Sequence, residues 1–139
     1  MVEAPDIPGA ADVVAWFGYW PDFHDSEVLS IKLDRSIESE VSIHAFEMTP
    51  EIDNRGYYVL AKHAIVTFLL QGFPRDRLGI TNTRIEFFNS QNVLGSAPVL
   101  KRENHYQLIL EACFGADCCI LCERISVKVE PYTPPASKD

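Results

Sequence analysis

The chain has 139 residues, of which 47% are hydrophobic and 23% charged, and its formal net charge at pH 7 is −8. This length suits one domain that buries a core without disulfide or metal staples, and the composition excludes a disordered chain. No apolar run approaches the roughly 20 residues of a membrane helix, and the acidic, proline-containing start lacks the order of a signal peptide. We therefore expect a single cytoplasmic domain over 1–139, with a loose N-terminal segment at 1–11 and a proline-rich tail at 131–139.

The first half of the chain predicts one helix and three strands. A short helix should begin at an Asp12 N-cap and end before Gly18 and Pro21. Alternating apolar residues predict strands over 28–33 and 41–45, joined as a hairpin. The segment MTPEIDNRG at 48–56 is rich in turn residues and predicts a loop. The almost continuously apolar run over 57–70 predicts a central strand covered on both faces.

The second half predicts three more strands and a turn between the last two. These strands are expected over 80–88, 105–114 and 118–129, with Gly115-Ala116-Asp117 turning the chain between the last pair. The connections are too short for the helical crossovers that parallel strands require. The predicted fold class is therefore α+β, mostly β: a curved antiparallel meander sheet of about six strands with one short N-terminal helix.

The acidic charge is concentrated at one end of the sequence. Residues 1–60 contain twelve Asp and Glu against three Lys and Arg, a balance of −9, whereas residues 61–139 balance at +1. Such a field repels nucleic acid, and it attracts a basic protein or a cation. The same charge also serves as the solubilising surface of an ordinary cytosolic protein.

The four cysteines are Cys113, Cys118, Cys119 and Cys122. Cys119 and Cys122 form a Cys-x-x-Cys motif, the spacing of many zinc sites. The intervening Ile120-Leu121 predicts a strand, however, and a strand directs positions 119 and 122 to opposite faces. We therefore favour buried free thiols over zinc, and we expect no metal and no other cofactor.

His24 and Asp25 stand in the densest cluster of reactive side chains, Phe23-His24-Asp25-Ser26-Glu27. An adjacent His and Asp supplies two ligands in metal-dependent hydrolases, but that chemistry needs further ligands on neighbouring helices. The other three histidines, His44, His63 and His105, fall in predicted strands. A capped turn before the first strand, with Asp25 accepting backbone hydrogen bonds, is the favoured interpretation.

A second acidic cluster lies in the predicted loop at 48–56 and just before it. Glu47, Glu51 and Asp53 lack the glycine and the ligand spacing of an EF-hand. They suit either a solvated loop or a recognition loop for a basic partner. No nucleophile elbow, phosphate loop or dinucleotide fingerprint occurs in the sequence. These observations favour a binding protein over an enzyme.

Several segments resemble a known family of bacterial proteins. WFGYWPDFHDSEVLSIKLDR at 16–35 is similar to the opening of the Immunity protein 50 family, and the likeness continues through HAFEMTPEID at 44–53, GYYVLAKHAIVTFLL at 56–70 and FNSQNVL at 88–94. The resemblance implies a cytoplasmic immunity protein that binds and neutralises a cognate toxin domain. A basic nuclease would suit the acidic charge. The family has no catalytic residues to carry over.

If the partner is a toxin domain, the predicted contacts are Glu47, Glu51 and Asp53 as charged groups and Tyr57 as an aromatic anchor. Two other classes of function stay open. One is a small metal-dependent hydrolase that uses His24 and Asp25. The other is a homo-oligomerising structural protein whose aromatic residues form the subunit interface, for which a homodimer is one arrangement.

Overall fold

The computed structural model describes residues 3–34, 37–72, 80–85, 94–112 and 116–134. Those residues form one helix and nine strands: α1 (Ala10–Phe17), β1 (Glu27–Lys32), β2 (Ser39–Ile52), β3 (Tyr58–Gln71), β4 (Ile80–Ile85), β5 (Leu94–Ser96), β6 (Val99–Lys101), β7 (Tyr106–Ala112), β8 (Ala116–Cys122) and β9 (Arg124–Pro131). The helix begins two residues before the predicted N-cap, with Gly9 in the capping position.

The strands form two sheets, and all neighbouring strands within each sheet are antiparallel. The first sheet has the order β1-β2-β3-β9, and the second has the order β4-β8-β7-β5, with β6 also pairing with β7. The prediction of a mostly β, antiparallel α+β fold with one short helix is confirmed. The described residues contain more strands than the six predicted, and two sheets replace the single meander.

The hairpin of β2 and β3 is longer than predicted. Each strand has 14 residues, and β2 continues through the predicted loop as far as Ile52. Pairing of Glu47 with Ala61 and of Met48 with Leu60 extends the ladder through this region, although Pro50 lies within it. Cross-strand pairing has therefore overridden the local turn signals, and the turn itself is confined to residues 53–57.

The prediction of one continuous strand over 118–129 is wrong. The chain leaves the second sheet after Cys122 and enters the first sheet at Arg124. Glu123 lies at the break, where its backbone N–H donates to the carbonyls of Gln71 and Gly72. Cys119 and Cys122 both lie in β8, as predicted, and both are free thiols. The predicted turn covers residues 115–117. Residue 115 lies outside the described residues, and Ala116 and Asp117 lie in β8 rather than in a turn. Cys113 also lies outside the described residues.

One face of the first sheet packs into the core, and the other is only partly covered. The inner face contributes Val41, Ile43, Val66 and Phe68, all fully buried, and α1 packs mainly against β9. Strand β3 is buried or half-buried throughout residues 64–70, but it is largely exposed over 58–62. The prediction that the whole strand is covered on both faces is therefore met only in its second half.

Candidate functional site

The far end of the β2–β3 hairpin extends beyond its neighbouring strands. Pairing of β1 with β2 reaches only to His44, and pairing of β9 with β3 begins at Ala64. Within the described residues, no further strand pairs with either edge of residues 46–61. We call this two-stranded segment, together with its turn, the arm. An isolated two-stranded ribbon is marginally stable in water, so the arm needs support from side chains or from a partner.

One face of the arm is apolar and exposed. Tyr58 and Leu60 are two residues apart on β3 and therefore share a face, and their cross-strand partners Ile52 and Met48 lie on that same face, although a register shift separates the two pairs. Their exposed fractions are 48% for Met48, 62% for Ile52, 54% for Tyr58 and 38% for Leu60. We call these four residues the outer stripe. Contiguous exposed apolar surface of this kind marks interaction sites in folded proteins.

Asp53 organises the turn at the tip of the arm. Its Oδ1 accepts hydrogen bonds from the backbone N–H groups of Arg55, at 2.9 Å, and Tyr57, at 3.0 Å. These bonds, that from Tyr57 above all, hold the pKa of the Asp53 carboxyl below its ordinary value. The Tyr57 ring is well exposed beside the Arg55 guanidinium, which lies 5.9 Å from the ring centroid. The carboxylate of Asp53 is thus used to shape the turn that presents Tyr57.

The helix holds the base of the arm on the inner side. Lys62 Nζ donates to the Phe17 carbonyl at 2.9 Å, at the end of α1, and lies 3.0 Å from Glu47 Oε2. The Trp16 indole N–H donates to the Lys62 carbonyl at 2.8 Å. Lys62 has a φ of 53° and lies in the β-bulge where the β2–β3 register shifts. Glu47 is therefore already paired within the chain.

A cluster of histidine and aromatic rings lies on the outer side of the same base. His44 Nε2 and His63 Nδ1 are 2.9 Å apart, within hydrogen-bond distance. The Tyr132 ring lies edge-on to His44 at 4.8 Å between centroids, and Phe46 lies 5.7 Å from it. Tyr132 also donates its backbone N–H to the His63 carbonyl. Burial, and then the neighbouring His63, lowers the pKa of His44 below its ordinary value.

All four residues predicted from sequence as partner contacts lie on the arm. Glu51 and Tyr57 are exposed, whereas Glu47 pairs with Lys62 and Asp53 binds its own turn. Sequence analysis missed the outer stripe. The signal was present in the alternation of Met48, Pro50 and Ile52, but the turn residues among them led to the interpretation as a loop.

The His24–Asp25 pair lies elsewhere, before β1. His24 Nε2 is 3.7 Å from Asp25 Oδ1, and both side chains are exposed. The turn acceptor is Asp22 rather than Asp25, because Asp22 Oδ1 accepts the His24 backbone N–H at 2.9 Å. Phe23 and Asp25 have positive φ angles, and the buried Phe23 ring packs against Trp20. Among the described residues, no three His, Cys, Asp or Glu side chains are grouped to hold a metal ion.

Comparison of the chain with protein-family models, with curated proteins and with solved structures gives no match. Within the described part of the chain, no helix has the length and apolar character needed to cross a membrane.

Proposed function

We propose that this chain is a cytoplasmic immunity protein that docks a cognate toxin domain on the outer stripe of the arm. The observation that carries the proposal is the exposure of four large apolar side chains on one face of a ribbon that lacks flanking strands in the described structure. A partner that covers this face would bury apolar surface and supply the packing that a two-stranded ribbon lacks. The resemblance of the sequence to immunity proteins gives that partner its class.

The partner should be a basic protein domain, for which a nuclease is the natural example. Residues 1–60 carry the −9 charge balance, and α1, β1, β2 and the turn of the arm all lie within this part of the sequence. Glu51 is exposed on the arm itself. Charges at the rim of an interface act mainly on association rate and salt dependence, whereas apolar anchors determine how slowly a complex dissociates.

The structure divides the four predicted contacts into two groups. Glu51 and Tyr57 are exposed and suited to touch a partner. Glu47 and Asp53 have partners within the chain, so their replacement should disturb the arm before it removes a contact. A variant that tests binding should therefore leave Glu47 and Asp53 unchanged.

A triple variant of the outer stripe tests the proposal. The probe is the toxin domain encoded by the gene next to this one, and the measurement is its affinity for the purified chain. The variant carries Met48→Ser, Tyr58→Ser and Leu60→Ser. At about 1 kcal/mol for each truncated contact, affinity should fall by about 100-fold. The matched control replaces Leu29, Leu33 and Ile37 by serine, since these apolar side chains are similarly exposed but lie outside the arm.

Equal losses in the two triple variants would contradict docking on the arm, and a neighbouring gene without a toxin domain would contradict the immunity role. Sedimentation of the chain alone supplies the remaining comparison. A dimer that dissociates only in the outer-stripe variant would favour the homo-oligomerising alternative, because the same face would then be covered by a second copy.

A further inference from the structure

The His44–His63 pair and the outer stripe belong to one continuous face. His44, Phe46 and Met48 occupy every second position of β2. The bulge in this region places its extra residue on β3, so the alternation of side chains along β2 is not interrupted between them. His63 contacts both His44 and Phe46. The imidazole pair therefore lies on the same face as the outer stripe, at the base of the arm.

The chemistry of the pair limits how many protons it can hold. At 2.9 Å, one imidazole donates an N–H to the lone pair of the other, which requires at least one unprotonated nitrogen between them. When both rings are protonated, two N–H groups and two positive charges face each other. The bond crosses the hairpin beside the bulge between Ala45 and Glu47, where the backbone ladder is irregular, so its loss falls on a part of the hairpin with fewer regular ladder bonds.

Other charged groups on this face lie at the ends of the same cross-strand row. Glu27 on β1 is paired with His44, and Glu130 on β9 is paired with Ile65, which is itself paired with His44. The Tyr132 ring covers His44 from the end of β9. On the opposite face of the hairpin, Lys62 and Glu47 pair with each other beside the end of α1. This row therefore has an acidic residue at each end, and His44 is the ring that lies next to Glu27 in the register.

We propose that the His44–His63 pair is a pH-dependent gate for the outer stripe. At neutral pH the shared hydrogen bond joins β2 to β3 at the base of the arm. In acid both rings become charged, they separate, and the base of the arm opens. The release of a basic partner in acid rests on the proposed function, whereas the opening of the arm does not.

The free protein gives the first test, with no partner required. Amide hydrogen exchange over the arm, corrected for intrinsic rates, is compared at about pH 7.5 and about pH 5. Wild-type exchange should accelerate in acid by at least about fivefold, relative to the core of β3. Each of His44→Gln and His63→Gln removes the double charge and should abolish that acceleration. The exposed His24→Gln variant is the matched control and should behave as wild type. Unchanged wild-type exchange, or equal acceleration in all variants, would overturn the gate.

The second test measures affinity for the neighbouring toxin domain at the same two pH values. Wild type should lose affinity in acid by at least about fivefold more than His44→Gln. Equal losses would overturn the effect on binding. If the toxin domain binds at neither pH, the proposed function fails, while the exchange experiment still decides whether the pair opens the arm.

Discussion

Of the described glycines with a positive φ, Gly9 is the one at which an added methyl group would approach another atom most closely. Its φ is +90°, in the left-handed region, and a Cβ built there would overlap the backbone carbonyl of Val127. The preceding residue is tied to the same strand, because the Val127 N–H donates to the Pro8 carbonyl at 2.9 Å. Gly9→Ala therefore requires the chain before α1 to move away from β9.

The expected cost is the sum of three effects. A positive φ costs alanine about 1 kcal/mol relative to glycine. Loss of the hydrogen bond between Val127 and Pro8 costs about 1 kcal/mol. Displacement of this segment also exposes part of Ile7, which is buried, at about 1–2 kcal/mol. The free energy of unfolding should therefore fall by about 3–4 kcal/mol.

Gly56→Ala is the matched control, since Gly56 has a φ of +86° but no atom lies within 4 Å of its Cβ position. It should cost only about 1 kcal/mol. With a denaturant slope of about 2 kcal/mol/M, the urea midpoint should fall by about 1.5–2 M for Gly9→Ala and by about 0.5 M for Gly56→Ala. Equal shifts in the two variants would refute the role assigned to the contact with Val127.

Three further predictions follow from the titrating groups. Burial raises the pKa of the Cys122 thiol to about 12, so iodoacetamide at about pH 8 should alkylate it only after unfolding, as read by peptide mass. The pKa of Asp53 is lowered, so its stabilisation of the turn is complete above the ordinary pKa of 3.8 and is lost as the pH falls through the lowered pKa of the folded state. At neutral pH, Asp53→Ala should abolish the protection of the Tyr57 amide against hydrogen exchange. The pKa of His44 is also lowered, so its contribution to the free energy of unfolding is complete above the ordinary pKa of 6.5 and declines as the pH falls below it. The Tm of the wild type should therefore fall more in acid than the Tm of His44→Gln.

The fold class could be predicted from the sequence because alternation and short connections depend only on local pattern. Two boundaries could not. Thr49 and Pro50 carry turn signals, but the cross-strand pairs on either side of them, Met48 with Leu60 and Ile52 with Tyr58, keep this segment within β2. No glycine or proline marks the break at Glu123, which is fixed by hydrogen bonds to Gln71 and Gly72 in a distant part of the chain. Tertiary pairing decides both boundaries, and a sequence window contains no information about it.

The candidate site shows the same division. Asp53 and Gly56 are typical turn residues, so the tip of the hairpin could be placed from sequence alone. The His44–His63 contact could not, because it depends on the register of the two strands. In that register His44 is paired with Ile65, and the extra residue of the bulge at Lys62 lies immediately beside His63. A one-residue bulge is not visible in the apolar run over 57–70.

The contacts at both ends of the arm explain why its middle is suited to binding. Asp53 fixes the tip, and Lys62 and the His44–His63 pair fix the base on opposite faces. The outer stripe between them is exposed while the backbone that carries it is already ordered. Docking on a ribbon that is already ordered costs less conformational entropy than docking that must first order a loop. Most of the binding free energy from the outer stripe should therefore appear in a slow dissociation rate.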